Sequence, residues 1–396
     1  MSELAIHGGN PVRTKLLPYG RQCLDEEDIR NVVEVLRSNW LTTGPKIQEF
    51  ERAFAHVAGT REAVAVCNGT AALHAAMHAL NIGPNDEVIV PAITFASSAN
   101  AVIYQGGTPI FADVDADSLL LDPDSVISKV GPRSRAVVAV DYAGQPCSYD
   151  LLRDIARRFN LALVADACHA LGAALGEKPV GSLADLSTFS LHPVKHITSG
   201  EGGVITTDNP ALAERMRIFR NHGITLDHRQ REAIGSYAYE MTDLGHNYRL
   251  TDFQCALAMS QLQKLPGFLR RRQEIAARYD AAFAGNECLR PLRTRADAFH
   301  AYHLYVILLE LSRLSVNRDA IFGALRAEGI GVNVHYKPVY LHPYYQKRFD
   351  TRPGACPVAE KSFESMITLP LFPEMTSEDI NDVVTAVEKV LGYYRR

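Results

Sequence analysis

The chain has 396 residues, of which 47% are hydrophobic and 22% charged, a composition that excludes disorder, collagen-like repeats and low complexity. At roughly 150 residues per domain, it has length for two or three structural units with a sizeable buried core. Its 41 Lys and Arg against 45 Asp and Glu leave a net charge of −4, with no long single-sign run, so no nucleic-acid or anionic-membrane footprint is expected.

Residues 1–14 show no basic start followed by an apolar core, and nowhere do 18 apolar residues run together, so neither export nor a membrane span is expected. The seven cysteines, Cys23, Cys67, Cys147, Cys168, Cys255, Cys288 and Cys356, form no C-x-x-C pair and no zinc-type cluster with histidine. They read as reduced thiols of a cytoplasmic protein. Asn68-Gly69-Thr70 fits the glycosylation acceptor pattern, but without an export signal that match carries no chemistry.

An arm at 1–24 leads into a helix at 25–39, where Ile29, Val32, Val33 and Leu36 share a stripe behind the acidic first turn Asp25, Glu26, Glu27, Asp28. From residue 63 onward, short Val- and Ile-rich runs alternate with helical patterns. Strands are expected at 63–66, 87–90, 108–111, 136–141, 161–166, 186–190 and 203–206, with helices such as 71–80 and 151–159 between them. That is an α/β fold with a mainly parallel sheet of roughly seven strands.

A segment at 251–265 and a long helix at 266–284 then change the rhythm. The Arg270, Arg271, Arg272 run falls in this stretch and reads as a solvated helix face. Beyond it come a strand at 303–309, a helix at 317–328, a strand at 332–336 and a capped helix at 377–393. The pattern divides the chain into a large unit at 25–263 and a smaller α+β unit at 264–396, which share a cleft.

Open α/β sheets bind ligands outside the carboxyl ends of their strands, and three such ends carry polar residues. The run Leu161-Ala162-Leu163-Val164-Ala165 ends in Asp166, a carboxylate that could hold a protonated ring nitrogen, a metal or a ribose hydroxyl, or could cap the next turn. Lys195 follows Phe189-Ser190-Leu191-His192-Pro193-Val194 and precedes Ser199-Gly200-Glu201-Gly202-Gly203. Buried there, its ammonium would lose hydration and proton affinity, as a Schiff-base nucleophile requires; taken alone, it reads more readily as an exposed surface lysine. Asn68-Gly69-Thr70-Ala71 hands a strand over to a helix whose free N–H groups suit a phosphate.

Together these features resemble the DegT/DnrJ/StrS-type sugar aminotransferases, pyridoxal-phosphate (PLP) enzymes of fold type I. The resemblance runs from about Tyr19 to the C-terminus. It is carried by Trp40-Leu41-Thr42-Thr43-Gly44-Pro45, Asn68-Gly69-Thr70-Ala71-Ala72-Leu73, Thr94-Phe95, Asp166-Ala167-Cys168-His169-Ala170, Phe189 to Lys195, Gly200-Glu201-Gly202-Gly203 and Gly245-His246-Asn247-Tyr248-Arg249-Leu250. It implies that Lys195 forms the Schiff base with PLP and that Asp166 pairs with the pyridine nitrogen, keeping the ring an electron sink. It further implies that Ser190, Gly69 and Thr70 form the phosphate cup, that Phe95 stacks on the ring and that His169 lies near the ring hydroxyl. Asn247 would reach the phosphate of a neighbouring subunit, which makes the active unit a homodimer.

The same resemblance implies glutamate as amino donor and a nucleotide-linked 4-keto-6-deoxy hexose as acceptor, with Lys195 shuttling the proton. Within the family, Tyr19 ahead of Cys23-Leu24-Asp25, Asp141-Tyr142-Ala143-Gly144, and Val334-His335-Tyr336-Lys337-Pro338-Val339-Tyr340 are similar to the branch that aminates UDP-4-keto-6-deoxy-N-acetyl-altrosamine in pseudaminic acid biosynthesis. There Tyr19, Asn39, Trp40, Leu41, Thr42, Val334, His335, Tyr336 and Lys337 would line the sugar-nucleotide pocket. The cup departs from that branch, reading Asn-Gly-Thr-Ala-Ala-Leu where Ser-Ala-Thr-Ser is commoner, so another nucleotide ketosugar, dTDP- or GDP-linked and 3-keto or 4-keto, stays open. Lys195 argues against the sugar dehydratases that carry His at this position. The intact catalytic set argues against a PLP-fold regulatory protein, and no G-x-G-x-x-G or P-loop supports a nucleotide-dependent oxidoreductase.

Overall fold

A computed structural model describes residues 3–396; the first two residues of the expected arm lie outside the described residues. Its centre is a sheet of seven strands: β1 (Glu62–Val66), β2 (Glu87–Pro91), β3 (Thr108–Ala112), β4 (Ser134–Val140), β5 (Ala162–Asp166), β6 (Leu186–Ser190) and β7 (Gly203–Thr207). They are ordered β1-β7-β6-β5-β4-β2-β3. Only β7 runs against the others. Each strand falls within two residues of its expected position, because a sheet covered on both faces leaves continuous apolar runs in the sequence.

Helices cover the sheet: α1 (Glu26–Leu36), α2 (Pro45–Ala58), α3 (Gly69–Ala79) and α4 (Ser97–Tyr104) come first. Helix α1 opens with a capping box between Asp25 and Asp28. The Asp28 carboxylate is 1% exposed and accepts from Gln261 Nε2 at 2.7 Å and Lys264 Nζ at 2.8 Å, which satisfies a charge that would be costly to bury alone. Helix α3 begins two residues earlier than expected because Asn68, in extended backbone, caps it by accepting from Ala71 N.

The expected break at Pro266 does not occur. Helix α5 (Asp252–Phe283) is continuous, with Pro266 inside it. Proline removes one helical hydrogen bond and crowds the carbonyl four residues back, but both flanks are anchored. Leu262, Leu265 and Leu269 pack into the core around the large sheet, whereas Ile275, Ala276, Tyr279 and Phe283 pack into a second core. Between them, Arg272 is buried, so the Arg270–Arg272 run is not a uniformly solvated face. Its guanidinium donates to Tyr302 O and Leu371 O, both at 3.1 Å.

The second core surrounds an antiparallel sheet, β8 (Leu289–Pro291), β9 (Tyr305–Leu309) and β10 (Met366–Leu369), with β9 central. Strand β9 is apolar throughout because it separates the two cores: Val306 and Leu308 face one, Tyr305, Ile307 and Leu309 the other. Helix α6 (Ser377–Tyr394) closes this unit, and Leu4 and Leu17 of the N-terminal segment are buried in it. The strand expected at 332–336 is absent; only Asn333 bridges to Thr368. The chain there leaves the sheet for the strand ends of the large unit, where His335 O accepts from Tyr142 OH and Val339 N donates to Ala92 O. Among the described residues, no helix is long and apolar enough to cross a membrane.

Candidate active site

Strands β5 and β6 are parallel neighbours, so their carboxyl ends open onto one crevice. Asp166 closes β5 and is almost fully buried. Its Oδ2 accepts from Ser98 Oγ at 2.6 Å and its Oδ1 from Cys168 N at 3.3 Å, while Ser98 Oγ also lies 2.7 Å from Thr94 Oγ1. Ser98 is a side chain of the site that the sequence did not single out. Its signal was its spacing, four residues after Thr94 on the first turn of a helix at a strand end.

Lys195 follows β6 in a turn held by its own backbone. Lys195 N donates to His192 O at 2.9 Å, Leu191 N to Gly202 O at 2.8 Å and Thr198 Oγ1 to Leu191 O at 3.0 Å. Gly200 has φ +79°, and a Cβ on Gly202 would stand 2.4 Å from Ser199 Oγ, so the glycines around Glu201 are needed for the turn itself. Burial pushes the Lys195 amine below its usual range, partly offset by the nearby Cys168 and Asp166. The Lys195 Nζ sits 3.4 Å from Nε2 of His303, a second residue that the sequence reading passed over because it merely begins a strand.

On the other side of β6, the start of α3 abuts the strand end. A Cβ on Gly69 would lie 3.0 Å from Ser190 Cβ and 3.4 Å from Ser190 Oγ. With Asn68 capping Ala71 N, the amides of Gly69 and Thr70 precede the first helical hydrogen bond and are free to meet an anion.

His169 is buried, with Nε2 3.1 Å from Tyr336 OH and Nδ1 without a partner. Phe95 is 59% exposed at the rim, its ring centroid 6.0 Å from that of Tyr336. Tyr19 lies 5.3 Å from the His335 ring, and burial raises its hydroxyl pKa. His335 has Nδ1 2.9 Å from Thr368 Oγ1 and is pushed down to about 3 by burial. Val334, Tyr336 and Lys337 are half-buried beside it.

The structure thus gathers Asp166, His169, Lys195, Ser190, Gly69, Thr70, Phe95, Tyr19 and His335–Lys337 around the strand ends. It does not bring Asn39, Trp40, Leu41, Thr42 or Asn247 into that group within one chain. Asn39, Leu41 and Thr42 are exposed, Thr42 bridges to Thr251, and Trp40 is partly covered under Arg229. Asn247 is exposed and bridges to Asn221, while the next residue, Tyr248, accepts from Cys67 N at 2.8 Å.

The family model for DegT/DnrJ/EryC1/StrS aminotransferases matches residues 22–388. The chain belongs to this family. The aminotransferase is 39% identical over 381 residues to the spore coat polysaccharide biosynthesis protein SpsC of Bacillus subtilis, covering 96% of this chain and 98% of that one. Among solved structures it resembles Helicobacter pylori PseC, an aminotransferase of pseudaminic acid biosynthesis. That match has TM-score 0.89 and 32% identity over 96% of this chain and 100% of that one. A putative sugar aminotransferase from Streptococcus pneumoniae matches in its PLP form with TM-score 0.88 and 33% identity, covering 95% of this chain and 100% of that one.

The protein is a sugar aminotransferase of fold type I that uses PLP. Its own residues fit that cofactor. The space kept open by the missing Gly69 side chain beside Ser190 suits a phosphate, Asp166 offers a buried carboxylate, and the partnerless Nδ1 of His169 offers a polar contact.

Proposed function

We propose that this aminotransferase moves an amino group from glutamate to the C4 carbonyl of a nucleotide-linked 4-keto-6-deoxy hexose, UDP-4-keto-6-deoxy-N-acetyl-altrosamine of pseudaminic acid biosynthesis. The observation that carries the chemistry is the convergence of Lys195 and Asp166 at the ends of adjacent parallel strands, beside the Gly69–Ser190 cradle. The substrate rests on the likeness to PseC across the whole chain.

Bound there, PLP supplies an electron sink for the charge left when the Cα–H bond breaks. Asp166, oriented by Ser98, would keep the ring nitrogen protonated. Gly69, Thr70 and Ser190 would hold the phosphate, Phe95 would pack on the ring and His169 would meet its hydroxyl. Lys195, made less basic by burial, would anchor the cofactor and, freed when the donor's amino group takes its place, would carry a proton on Nζ between the substrate carbon and the cofactor. Tyr19, Asn39, Trp40, Leu41, Thr42, Val334, His335, Tyr336 and Lys337 bind the sugar nucleotide. Asn247 completes the phosphate site of a second subunit in a cytoplasmic homodimer. The units at 25–263 and 264–396 form the two walls of the cleft behind the arm at 1–24.

A second reading, another nucleotide ketosugar, is favoured by the Asn68-Gly69-Thr70 cup and by the higher identity to SpsC than to PseC. Incubating UDP-, dTDP- and GDP-linked 4-keto and 3-keto sugars with the enzyme, PLP and glutamate, and weighing the products, separates the two. Amination of the UDP-4-keto sugar is expected; amination of a dTDP-3-keto sugar alone overturns the substrate. The purified protein is expected to be yellow, with an absorbance change on adding glutamate that Lys195→Ala abolishes.

A further inference from the structure

Buried histidines approach Lys195 from several elements, and the roles proposed above leave His303 unused. His303, two residues before β9, is almost fully buried, with Nε2 3.4 Å from Lys195 Nζ. Its ring centroid lies 4.4 Å from that of His169 and 5.7 Å from that of His196. Those two spend Nε2 elsewhere, His169 beside Tyr336 OH and His196 on Ala301 O at 3.1 Å. The position of the His303 ring is fixed from behind. Arg272 of α5 donates to the carbonyls of Tyr302 and His303, and a Cβ on Gly144 would stand 2.9 Å from His303 N.

We propose that His303 is a positioning residue for Lys195: its uncharged imidazole accepts a hydrogen bond from Nζ through Nε2 and holds the amine at the strand-end crevice. This rests on the reading of Lys195 as the reacting amine. The groups facing His303 are Lys195 and His196 from the turn after β6, His169 from the turn after β5, and Arg272 from α5. All are cationic or can become so, and together with burial they hold the imidazole well below its ordinary protonation range. His303 therefore stays uncharged at neutral pH and keeps one ring nitrogen able to accept; with Nε2 in that role, the proton sits on Nδ1, which has no other partner. The flexible four-carbon stem of Lys195 gains a fixed direction from it, and the ammonium gains a partner that partly offsets burial.

The test uses the cofactor-free protein, so it does not depend on turnover. Trace acetylation with acetic anhydride across a pH series, read at the Lys195 peptide by mass spectrometry, gives the midpoint at which this amine loses its proton. His303→Leu is expected to lower that midpoint by about one pH unit, a tenfold change in proton affinity. His303→Gln, whose amide oxygen reaches the Nε2 position, keeps the wild-type midpoint, whereas His303→Asn, which reaches only the Nδ1 position, behaves like Leu. In the unsubstituted protein, 15N NMR is expected to show His303 protonated on Nδ1 and bare on Nε2.

An unchanged midpoint in both Leu and Asn variants overturns the proposal, as does a Gln variant shifted as far as Leu, or a proton on Nε2. If the Leu variant does not fold, the Gln–Asn contrast and the NMR of the unsubstituted protein decide. Failure of the underlying reading is distinguishable: a glutamate-dependent colour change surviving in Lys195→Ala removes the role of Lys195, and this proposal with it.

Discussion

Ser98 Oγ donates to Asp166 Oδ2 across 2.6 Å in a site where both side chains are shielded from water. The pair joins the first turn of α4 to the end of β5, so one hydroxyl sets the direction of the carboxylate. A hydrogen bond to a charged group is worth about 1.5–3 kcal/mol. Ser98→Ala is expected to lose about that much stability in denaturant unfolding while the protein remains yellow. Asp166→Asn keeps the shape and removes the charge, and catalysis is expected to fall on the order of 100-fold, as when a placed electrostatic group is lost. Asn-variant rates within twofold of wild type would remove Asp166 from the chemistry.

Gly69 faces Ser190 so closely that even a methyl group would make Ser190 give way. Because an added Cβ would stand 3.0 Å from Ser190 Cβ, Gly69→Ala is expected to push Ser190 aside and weaken PLP binding about tenfold, roughly 1.4 kcal/mol. The helix itself tolerates alanine well, so the thermal midpoint should hardly move. Cofactor titration of the apo-protein by absorbance checks both halves, and unaltered affinity speaks against the phosphate cup.

Acid should destabilise the fold through its buried histidines, an effect that the buried carboxyl of Asp141, raised to about 8 by burial, offsets only in part. Burial holds His300 and His335 at about 3 and His74 at about 4, and His169, His196 and His303 well below their ordinary value. In the unfolded chain each titrates near 6.5. Between those values the unfolded state binds more protons, so stability rises with pH there and is lost as pH falls from about 6.5 toward 4. Several such groups together should lower unfolding free energy by more than about 1.4 kcal/mol per pH unit. A thermal midpoint that stays flat from pH 7 to 4.5 contradicts this.

Arg272 is the seam between the two cores. Its guanidinium reaches the carbonyls of Tyr302, His303 and Leu371, and burial lowers its pKa to about 10. Arg272→Met fills much of the volume but strands those three carbonyls, with an expected loss of about 3 kcal/mol or more, reckoning about 1–3 kcal/mol for each oxygen left dry. Equilibrium unfolding in urea reads it directly; a loss under about 0.5 kcal/mol would mean that the carbonyls find other donors.

Pro266 offers the opposite sign. It is exposed inside a continuous helix, so Pro266→Ala removes no buried contact and returns a backbone donor. A gain of about 1–3 kcal/mol is expected, the helix-interior cost of proline less the entropy it removes from the unfolded chain. Destabilisation by this change would show that the proline ring shapes α5 in a way its exposure does not reveal.

The sequence by itself determined the large sheet, strand by strand, and the polar residues at its ends. Buried parallel strands must be apolar along their whole length, and chemistry-bearing residues such as Asp166 and Lys195 then stand out where the apolar runs stop. Tertiary structure alone decided what depends on partners distant in the chain. Pro266 is carried through α5 because Leu262 to Phe283 are gripped by two cores, and Arg272 is buried because three carbonyls converge on it. The residues at 332–336 leave their sheet because Tyr142 and Ala92 take the backbone. Ser98 and His303 lie 68 and 108 residues from Asp166 and Lys195, and no local pattern records a contact that only folding closes.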